Sequence, residues 1–232
     1  MKKVDVKKIF RGWMMLLDAD RSQRIVVLPE NRLWCEQRNG GGSVCRLESL
    51  PGVVESSFVR LSPGRSLDPD SRDLEIFVLE GCLEVGGRVW PAGSYLRIAR
   101  ESGLSVLAGE PSLFFVKAGT FPEEDRKSAG LETAGVRFSP GLVPGLSVLP
   151  LFSGGTANTA LVRWEPGTVF QPHRHFGGEE ILVISGTFED EHGSYPAGSW
   201  YRAPHMSRHH PFSREGCLIF VKTGHLQDAS AA

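Results

Sequence analysis

The sequence predicts an all-β protein built from two tandem barrels of antiparallel strands. Three observations support this fold class. Short runs with β-type patterning, such as VVESSFVRL, LEIFVLEG and EILVISG, recur between clusters of Gly, Pro and Ser. No long run has the period of an amphipathic helix, and one pattern of residues occurs twice along the 232-residue chain. Many short strands separated by turns are typical of barrels and sandwiches.

The composition narrows the class of protein further. An apolar content of 41% is enough to bury a core in either one large domain or two smaller ones, and a formal net charge of −1 offers no basic surface for a phosphate backbone. No segment approaches the roughly 18 uninterrupted apolar residues that a spanning helix needs. The four cysteines are scattered without a CxxC pair. We therefore expect a cytoplasmic protein that binds neither nucleic acid nor membrane.

Residues 1–25 are predicted to form an amino-terminal extension, either a short helix or a loose segment. The run MKKVDVKKIFRGWMMLLDAD begins with lysines followed by apolar residues, as a signal peptide would. Arg11 interrupts this run, however, and no small-residue cleavage site follows it. We therefore expect this segment not to act as a signal peptide.

The internal repeat sets the expected domain boundaries. The segment GCLEVGGRVWPAGSYLR aligns with GTFEDEHGSYPAGSWYR at an offset of 105 residues, which places Pro91 opposite Pro196. The same offset aligns LFFVKAG with LIFVKTG without a gap. A collinear series of this kind indicates two copies of one structural unit. We predict a first unit at residues 26–122, a polar linker at 123–135 and a second unit at 136–232.

A cluster of potential metal ligands lies in the second unit, within the stretch QPHRHFGGEE. His173 and His175 are two residues apart, so on a strand both side chains leave the same face, and Glu179 has the same parity. His209, in the downstream stretch GSWYRAPHMSRHHPFS, can be brought alongside by an antiparallel neighbour. Three neutral imidazoles and one carboxylate suit one divalent transition metal ion, with Zn, Fe, Mn and Ni as the candidates.

The same residues resemble the first signature motif of the cupin family. The sequence reads Gly167, five residues, His173, one residue, His175, three residues, Glu179, six residues and Gly186. This spacing matches the motif at every position.

The second cupin motif is matched more loosely. Five residues separate Gly198 from Pro204, and His209 stands where the motif has histidine. Met206 occupies a position where glycine is usual, and Ser213 one where asparagine is usual.

At greater length, the second unit resembles the cupin domain of the ChrR anti-sigma factors and of their free-standing relatives. The resemblance implies that both units are double-stranded β-helix barrels, or jelly rolls, and that the chain forms a homodimer. It also implies that the metal ligands in the second barrel are His173, His175, Glu179 and His209.

Glu179 and Glu180 both satisfy a relaxed version of the ligand spacing, and the repeat favours the first of them. At the offset of 105 residues, Glu180 is matched by Glu75, whereas Glu179 is matched by Leu74. A glutamate kept in both units is better explained by a role in the scaffold. Glu179 is therefore the better ligand candidate.

The first unit lacks all four ligand types, so we expect it to bind no metal in this manner. Asp70 and Arg72 stand where the second unit has its paired histidines, Leu74 replaces the glutamate, and Leu104 replaces the last histidine. One hypothesis is that Asp70 and Arg72 form an ion pair in place of the lost ion, although exposed charges at a strand end are a commoner arrangement.

The remaining histidines are weaker candidates. His192 and His225 are expected to be surface or hydrogen-bonded core residues. His205 and His210 lie on either side of His209 in a loop bounded by prolines. For each of them the sequence leaves two functional roles open, contact with a metal ligand or contact with a substrate.

Two classes of function follow from the resemblance. ChrR-like regulators carry an amino-terminal helical domain that binds a sigma factor and holds zinc through a His and two Cys, but this chain has a second cupin-like unit there instead. A sensory or regulatory role, with an unidentified protein partner, is the first hypothesis. The alternative is an Fe(II)-dependent dioxygenase that cleaves a diketone-like or hydroxyketone substrate, with O2 and the small molecule meeting at the metal. A cavity that reaches the metal would favour an enzyme or a small-molecule sensor.

Overall fold

The computed structural model describes residues 17–37, 41–50, 53–67, 72–119, 121 and 126–226. Within these ranges there is no α-helix, and the two short 3-10 helices are Pro29–Asn31 and Arg100–Ser102. No helix in the described ranges is long and apolar enough to cross a bilayer. The predicted all-β class is confirmed. The form predicted for the extension falls mostly on residues 1–16, outside the described ranges.

The first barrel consists of two sheets that enclose an apolar core. The strands up to the linker are β1 (Ile25–Val27), β2 (Cys35–Glu36), β3 (Gly42–Leu50), β4 (Val54–Leu61), β5 (Ser66–Leu67), β6 (Leu74–Glu80), β7 (Cys82–Val85), β8 (Arg88–Pro91), β9 (Ser94–Ile98), β10 (Val106–Ala108), β11 (Ser112–Ala118) and β12 (Ala129–Glu132). One sheet has the order β12-β9-β6-β11-β4-β3-β2, and the other has the order β5-β10-β7-β8. All pairings within these sheets are antiparallel.

The second barrel repeats this plan. Its strands are β13 (Ser139–Pro140), β14 (Leu146–Gly154), β15 (Ala157–Trp164), β16 (Thr168–Val169), β17 (His173–His175), β18 (Glu179–Asp190), β19 (Gly193–Pro196), β20 (Trp200–Ala203), β21 (Ser207–His209), β22 (Phe212–Ser213) and β23 (Cys217–Thr223). The main sheet has the order β1-β20-β18-β23-β15-β14-β13, with β16, β19 and β22 joined at its side. Strands β17 and β21 form a separate two-stranded ladder.

Each barrel receives a strand from the segment that precedes the other unit. Strand β1 pairs with β20 of the second barrel, and Ile25 lies opposite Arg202. Strand β12, in the predicted linker, pairs with β9 of the first barrel, and Ala129 lies opposite Arg97. The two arginines are equivalent in the repeat, so the exchange is reciprocal. The main sheet of each barrel therefore contains a strand from outside the unit boundaries that the repeat suggests.

Two glycines retained by the repeat explain part of the pattern that the units share. Gly81 and Gly186 have φ of 72° and 70°, in the left-handed region that favours glycine. A Cβ at Gly81 would lie 2.4 Å from the Pro111 carbonyl oxygen, and one at Gly186 would lie 2.0 Å from that of Gly216. Any side chain here would force strands apart, so both units need glycine at this position.

The apolar residues form three clusters, one inside each barrel and one between the barrels. The outer faces of the two large sheets pack against each other, and the Phe220 ring contacts the rings of both Phe77 and Phe115. Phe77 and Phe115 belong to the first barrel and Phe220 to the second. The two barrels therefore share an apolar interface as well as exchanging strands.

Buried ion pairs cross the same interface in a reciprocal arrangement. Lys117 of the first barrel donates to Glu180 of the second, and Lys222 of the second donates to Glu75 of the first. All four side chains are buried. In the repeat, the two lysines are equivalent to each other, and so are the two glutamates. The interface is thus approximately two-fold symmetric.

The carboxylates of these pairs accept further hydrogen bonds from buried side chains. The Tyr95 hydroxyl donates to Glu75 at 2.7 Å, and the equivalent Trp200 Nε1 donates to Glu180 at 2.7 Å. Buried charges are tolerated when they are paired and hydrogen-bonded. Glu75 and Glu180 therefore belong to the joint between the barrels.

Candidate metal centre

The two-stranded ladder brings together three histidines that are distant in the sequence. Strands β17 and β21 are antiparallel, with His173 directly opposite His209. His175 lies two residues further along β17, on the same face as His173. The ladder thus gathers the three histidines in one place in the second unit.

The three imidazole rings converge on one point. One ring nitrogen from each histidine lies within 4.8 Å of the other two. The Nε2 atoms of His175 and His209 are 2.9 Å apart. His175 and His209 are buried, and His173 is partly exposed. This geometry can present three nitrogen donors to one small cation.

Glu179 places a carboxylate oxygen beside two of the three histidines. Its Oε2 lies 3.4 Å from Nε2 of His175 and 3.6 Å from Nε2 of His209. The Tyr201 hydroxyl donates a hydrogen bond to this oxygen at 2.9 Å. Glu180, the next residue, leaves β18 on the opposite face and lies in the joint between the barrels. The structure therefore places Glu179, and not Glu180, with the histidines.

Hydrogen bonds donated by Nδ1–H groups orient two of the rings. Nδ1 of His173 lies 3.0 Å from the carbonyl oxygen of Gln171, and Nδ1 of His209 lies 3.4 Å from Oδ2 of Asp190. A histidine whose Nδ1–H faces an acceptor presents the lone pair of Nε2 to a metal. These contacts direct Nε2 of both rings towards the common point.

Asp190 is itself held firmly by several donors. Arg24 Nη2 lies 2.9 Å from its Oδ2, and the Tyr195 hydroxyl donates to its Oδ1 at 2.9 Å. The backbone N–H groups of His192 and Gly193 also donate to Oδ1. Burial opposes ionisation, but the contacts with His209 and Arg24 and the backbone donors together lower the pKa of Asp190. The carboxylate is therefore charged and fixed behind His209.

His173 and His175 are neutral near pH 7. Burial, followed by the proximity of His209 and His173, lowers the pKa of His175 to about 3. Burial also lowers the pKa of His173. Only neutral imidazole can donate a lone pair to a metal, so the site does not have to lose a proton from these two rings before binding.

A cavity of about 180 Å³ adjoins this point. Its wall includes His175, His209 and Tyr201, together with Arg24 and Arg208. A small molecule in the cavity would therefore lie against two of the candidate ligands.

The corresponding region of the first barrel is filled with apolar side chains. Leu74 is buried in its core, and Leu104 packs against that core. Arg72 Nη2 lies 3.5 Å from the Glu55 carboxylate. Asp70 lies outside the described residues, so the ion pair suggested for Asp70 and Arg72 stays a hypothesis.

Met206 adopts the backbone conformation that the usual glycine would favour. Its φ is 61°, in a turn closed by the hydrogen bond from Ser207 N–H to the Pro204 carbonyl oxygen. The Met206 N–H donates to the carbonyl oxygen of His175, which ties this turn to β17. The turn that precedes His209 is thus formed despite the missing glycine.

The remaining histidines lie around the site or away from it. His205 is exposed, and its Nδ1 accepts a hydrogen bond from the Gly177 N–H at 2.9 Å. His210 is exposed, and His192 lines the rim of the cavity. His225 is in the joint between the barrels, 3.0 Å from Glu180.

Sequence reasoning did not predict the hydrogen bonds that Asp190, Tyr201 and Arg24 make around the candidate ligands. The first two carry a signal that the repeat contains. At the offset of 105 residues, four polar residues of this region face apolar residues of the first barrel: Glu179 and Leu74, Asp190 and Val85, Tyr201 and Leu96, and His209 and Leu104. Arg24 has no such signal, because it reaches the site through the exchanged strand.

The comparisons with known proteins agree with this architecture. Residues 126–227 match the family model described as the ChrR cupin-like domain. No curated protein matches the chain.

Several solved structures share the fold. A candidate dioxygenase from Nostoc punctiforme is 16% identical, with 90% of this chain and 85% of that chain covered at a TM-score of 0.71. A candidate glyoxylate-induced protein from Pseudomonas aeruginosa is 14% identical, with 91% of each chain covered at a TM-score of 0.69. A variant of the oxalate decarboxylase of Bacillus subtilis is 17% identical, with 86% and 77% covered at a TM-score of 0.57. At these identities the likeness concerns the fold alone, and it confirms the prediction of two tandem cupin barrels.

Proposed function

We propose that this chain, whose residues 126–227 belong to the ChrR-like cupin family, binds one divalent transition metal ion and acts there on a small molecule. The proposed ligands are His173, His175, Glu179 and His209. The observation that carries the proposal is the cavity that adjoins His175 and His209, because a site sealed on all sides would favour a structural or redox-sensing role instead.

The donor set fits such an ion. Three imidazoles with one carboxylate suit Zn, Fe, Mn or Ni. Glu179 is buried among His175, His209 and Tyr201, and burial raises the pKa of this carboxyl. No Lys or Arg forms an ion pair with it among the described residues. A buried carboxylate needs a compensating cation, and a metal ion would supply the charge.

We favour an oxygen-dependent enzyme, with Fe(II) as the ion and a diketone-like or hydroxyketone substrate. Fe(II) would supply the redox chemistry towards O2 and a chelating substrate. The chain would hold the geometry: Asp190 fixes the His209 ring, and the Tyr201 hydroxyl fixes Glu179. The apolar barrel around Phe188 and Tyr195 would keep bulk water from the reacting atoms.

A sensory or regulatory protein is the second candidate. It is supported by the match of residues 126–227 to the ChrR cupin-like domain. The first barrel stands where ChrR-like regulators carry the zinc-holding helical domain, so any protein partner would have to bind by another mode. We also propose a cytoplasmic homodimer, from composition and resemblance, which sedimentation of the purified protein tests.

Elemental analysis of purified variants tests the metal site. We expect about one equivalent of metal in the wild type and large losses in His173→Ala and His209→Ala. His210→Ala is the matched control, since His210 is exposed next to a proposed ligand and should retain the metal. Unchanged metal content in both ligand variants would refute the assignment.

Oxygen uptake separates the two candidate functions. The Fe(II)-loaded protein is mixed with each of a panel of β-diketones. The enzyme hypothesis predicts oxygen uptake that disappears in His209→Ala. If the metal binds but no uptake occurs, a pull-down against sigma factors tests the regulatory alternative.

A further inference from the structure

Two arginines line the cavity beside the proposed metal ligands. Arg24 comes from the segment immediately before β1, and Arg208 comes from β21, next to His209. Among the described residues, the wall of the cavity contains no Asp or Glu. Both of the fully charged residues in this described wall are therefore positive.

Arg24 uses only some of its N–H donors in hydrogen bonds to other residues of the protein. Its Nη2 contacts Oδ2 of Asp190 at 2.9 Å and also donates to the Tyr195 hydroxyl. Its Nε and Nη1 have no hydrogen-bond acceptor within the described ranges, and 24% of the side chain is exposed. Because a guanidinium carries five N–H donors, Arg24 can hold Asp190 and still donate to a ligand.

Arg208 has no ion-pair partner in the part of the chain that the structure describes, and its side chain is exposed. It lies on the strand that carries His209 and forms another part of the cavity wall. A free arginine beside a concave site is suited to a carboxylate, which it can bind through two parallel hydrogen bonds.

The nearby carboxylates do not cancel this positive lining. Asp190 is already bound by Arg24, Tyr195 and two backbone N–H groups. Glu191 accepts a hydrogen bond from the His210 N–H at 2.7 Å. Glu179 faces the proposed cation. The free donors of Arg24 and Arg208 are thus left for a ligand.

The size of the cavity limits the ligand. A volume of about 180 Å³ corresponds to roughly six water molecules at about 30 Å³ each. Only a short molecule fits, and its polar end must meet an arginine while its other end lies near His175 and His209.

We propose that the small molecule taken by this site is an organic anion, a short carboxylate that Arg24 and Arg208 hold beside the metal. This inference rests on the proposed function, because it names the class of ligand for the same site. It predicts that charge, rather than the ketone group alone, selects the ligand.

Isothermal titration with two probes of equal size tests the proposal. Pyruvate and butane-2,3-dione each have six non-hydrogen atoms, and only pyruvate has a carboxylate. We use the Zn(II)-loaded protein, so that no redox turnover accompanies binding. We expect pyruvate to bind at least about tenfold more tightly than the dione, since a hydrogen bond to a charged group is stronger than one to a neutral group.

Variants identify the groups responsible. Arg208→Gln should weaken pyruvate binding about fivefold or more and leave binding of the dione unchanged. Arg24→Gln should weaken pyruvate binding by a similar factor, and its affinity for the dione is compared at equal zinc content, because Arg24 also holds Asp190. Arg214→Gln is the matched control, because Arg214 is 76% exposed and pairs with Glu189 outside the cavity. Equal affinities for the two probes, or pyruvate binding that neither cavity variant changes, would overturn the proposal.

Two further measurements separate this proposal from the proposed function. The zinc content of each variant is measured in the same samples, so that a loss of metal is not mistaken for a loss of anion binding. Pyruvate is also titrated into protein stripped of metal with a chelator. If the wild type holds no metal, the proposed function fails. Pyruvate binding to the stripped protein that depends on Arg208 would still support the anion site, and its absence would refute it.

Discussion

Asp190 lies behind His209, where its Oδ2 is 3.4 Å from the ring Nδ1, and Arg24 and Tyr195 hold the carboxylate in place. A carboxylate in this position fixes the orientation of a metal-binding imidazole and raises its basicity. The first barrel has Val85 at the equivalent position, so this support is absent where the ligands are absent.

Asp190→Asn should therefore lower the metal affinity by about 10- to 100-fold while the barrel stays folded. Competition with a coloured chelator measures the affinity, and circular dichroism checks the fold. Glu191→Gln is the control, since Glu191 is the neighbouring acidic residue and contacts His210 instead. An affinity of Asp190→Asn equal to that of the control would show that the carboxylate does not support the site.

Met206 is the second residue at which a substitution should have a measurable effect, in this case on the free energy of unfolding. A residue with a side chain at φ of 61° is strained by roughly 1 kcal/mol, whereas glycine is not. Met206→Gly should raise the free energy of unfolding by about 0.5 to 1 kcal/mol, as part of the gain is offset by the greater freedom of glycine in the unfolded chain. Urea denaturation measures this change. Met206→Ala keeps the strain and should give no such gain; if both variants behave alike, the turn is not strained.

At the scale of single residues, the sequence predicted the candidate ligands of the site better than the residues that hold those ligands in place. Strand parity grouped His173, His175 and Glu179, and the repeat favoured Glu179 over Glu180. The structure gathers these side chains with His209, and metal binding by them remains our proposal. Arg24 could not be predicted, because its position depends on which sheet its strand joins.

The strands β18 and β20 connect the candidate site to the joint between the barrels. Adjacent residues on a strand point to opposite faces. Glu179 and Tyr201 therefore meet in the site, while Glu180 and Trp200 meet in the joint. Sequence alternation predicted the two faces of these strands, but it could not say that a second barrel would cover the outer one.

The pair formed by Lys222 and Glu75 gives a test of the joint. Lys222→Met should lower the free energy of unfolding by about 3 to 5 kcal/mol, because it leaves the buried Glu75 carboxylate without its cation. The double variant Lys222→Met with Glu75→Gln should regain part of this loss, since the amide oxygen can still accept from Tyr95 and Thr159. Denaturant unfolding of both proteins measures the difference. A double variant no more stable than the single one would contradict the charge argument.

For the molecule as a whole, the buried joint makes stability depend on pH. Burial opposes ionisation of Glu75, but the Lys222 charge and the hydrogen bonds from Lys222, Tyr95 and Thr159 lower its pKa to about 2. A carboxyl with a depressed pKa stabilises the fold above its unfolded pKa of about 4.3, and this contribution is lost as the pH falls towards 2.

His225 changes the stability of the protein at a higher pH than Glu75 does. Burial lowers its pKa to about 4, so the unfolded chain, with a pKa of about 6.5, takes up the proton first as the pH falls. We expect the wild type to lose about 1 to 2 kcal/mol of stability through this group between pH 7 and pH 5. His225→Gln should lose correspondingly less over this interval in urea denaturation. The exposed His210 serves as control, and His210→Gln should follow the wild type; identical pH profiles for all three proteins would refute the role of His225.

The repeat predicted two barrels of one design, but not how they are joined. The sequence shows Glu75 and Glu180, and the lysines of LFFVKAG and LIFVKTG, as residues that occur in both units. It does not show their partners across the interface, because an alignment of two units contains no distance between them. For the same reason, the reciprocal exchange of β1 and β12 was not foreseen.

That exchange has a consequence for biosynthesis. Strand β1 leaves the ribosome early, but its partner β20 follows about 175 residues later. At typical synthesis rates of about 5 to 20 residues per second, this delay is roughly 10 to 35 seconds. During that time Ile25–Val27 has no sheet to join, and the first barrel has its own edge strand β9 uncovered until β12 emerges. Strand β1 is therefore open to proteases and to pairing with other chains until translation is nearly complete, whereas β9 waits only for β12, which follows about 35 residues later.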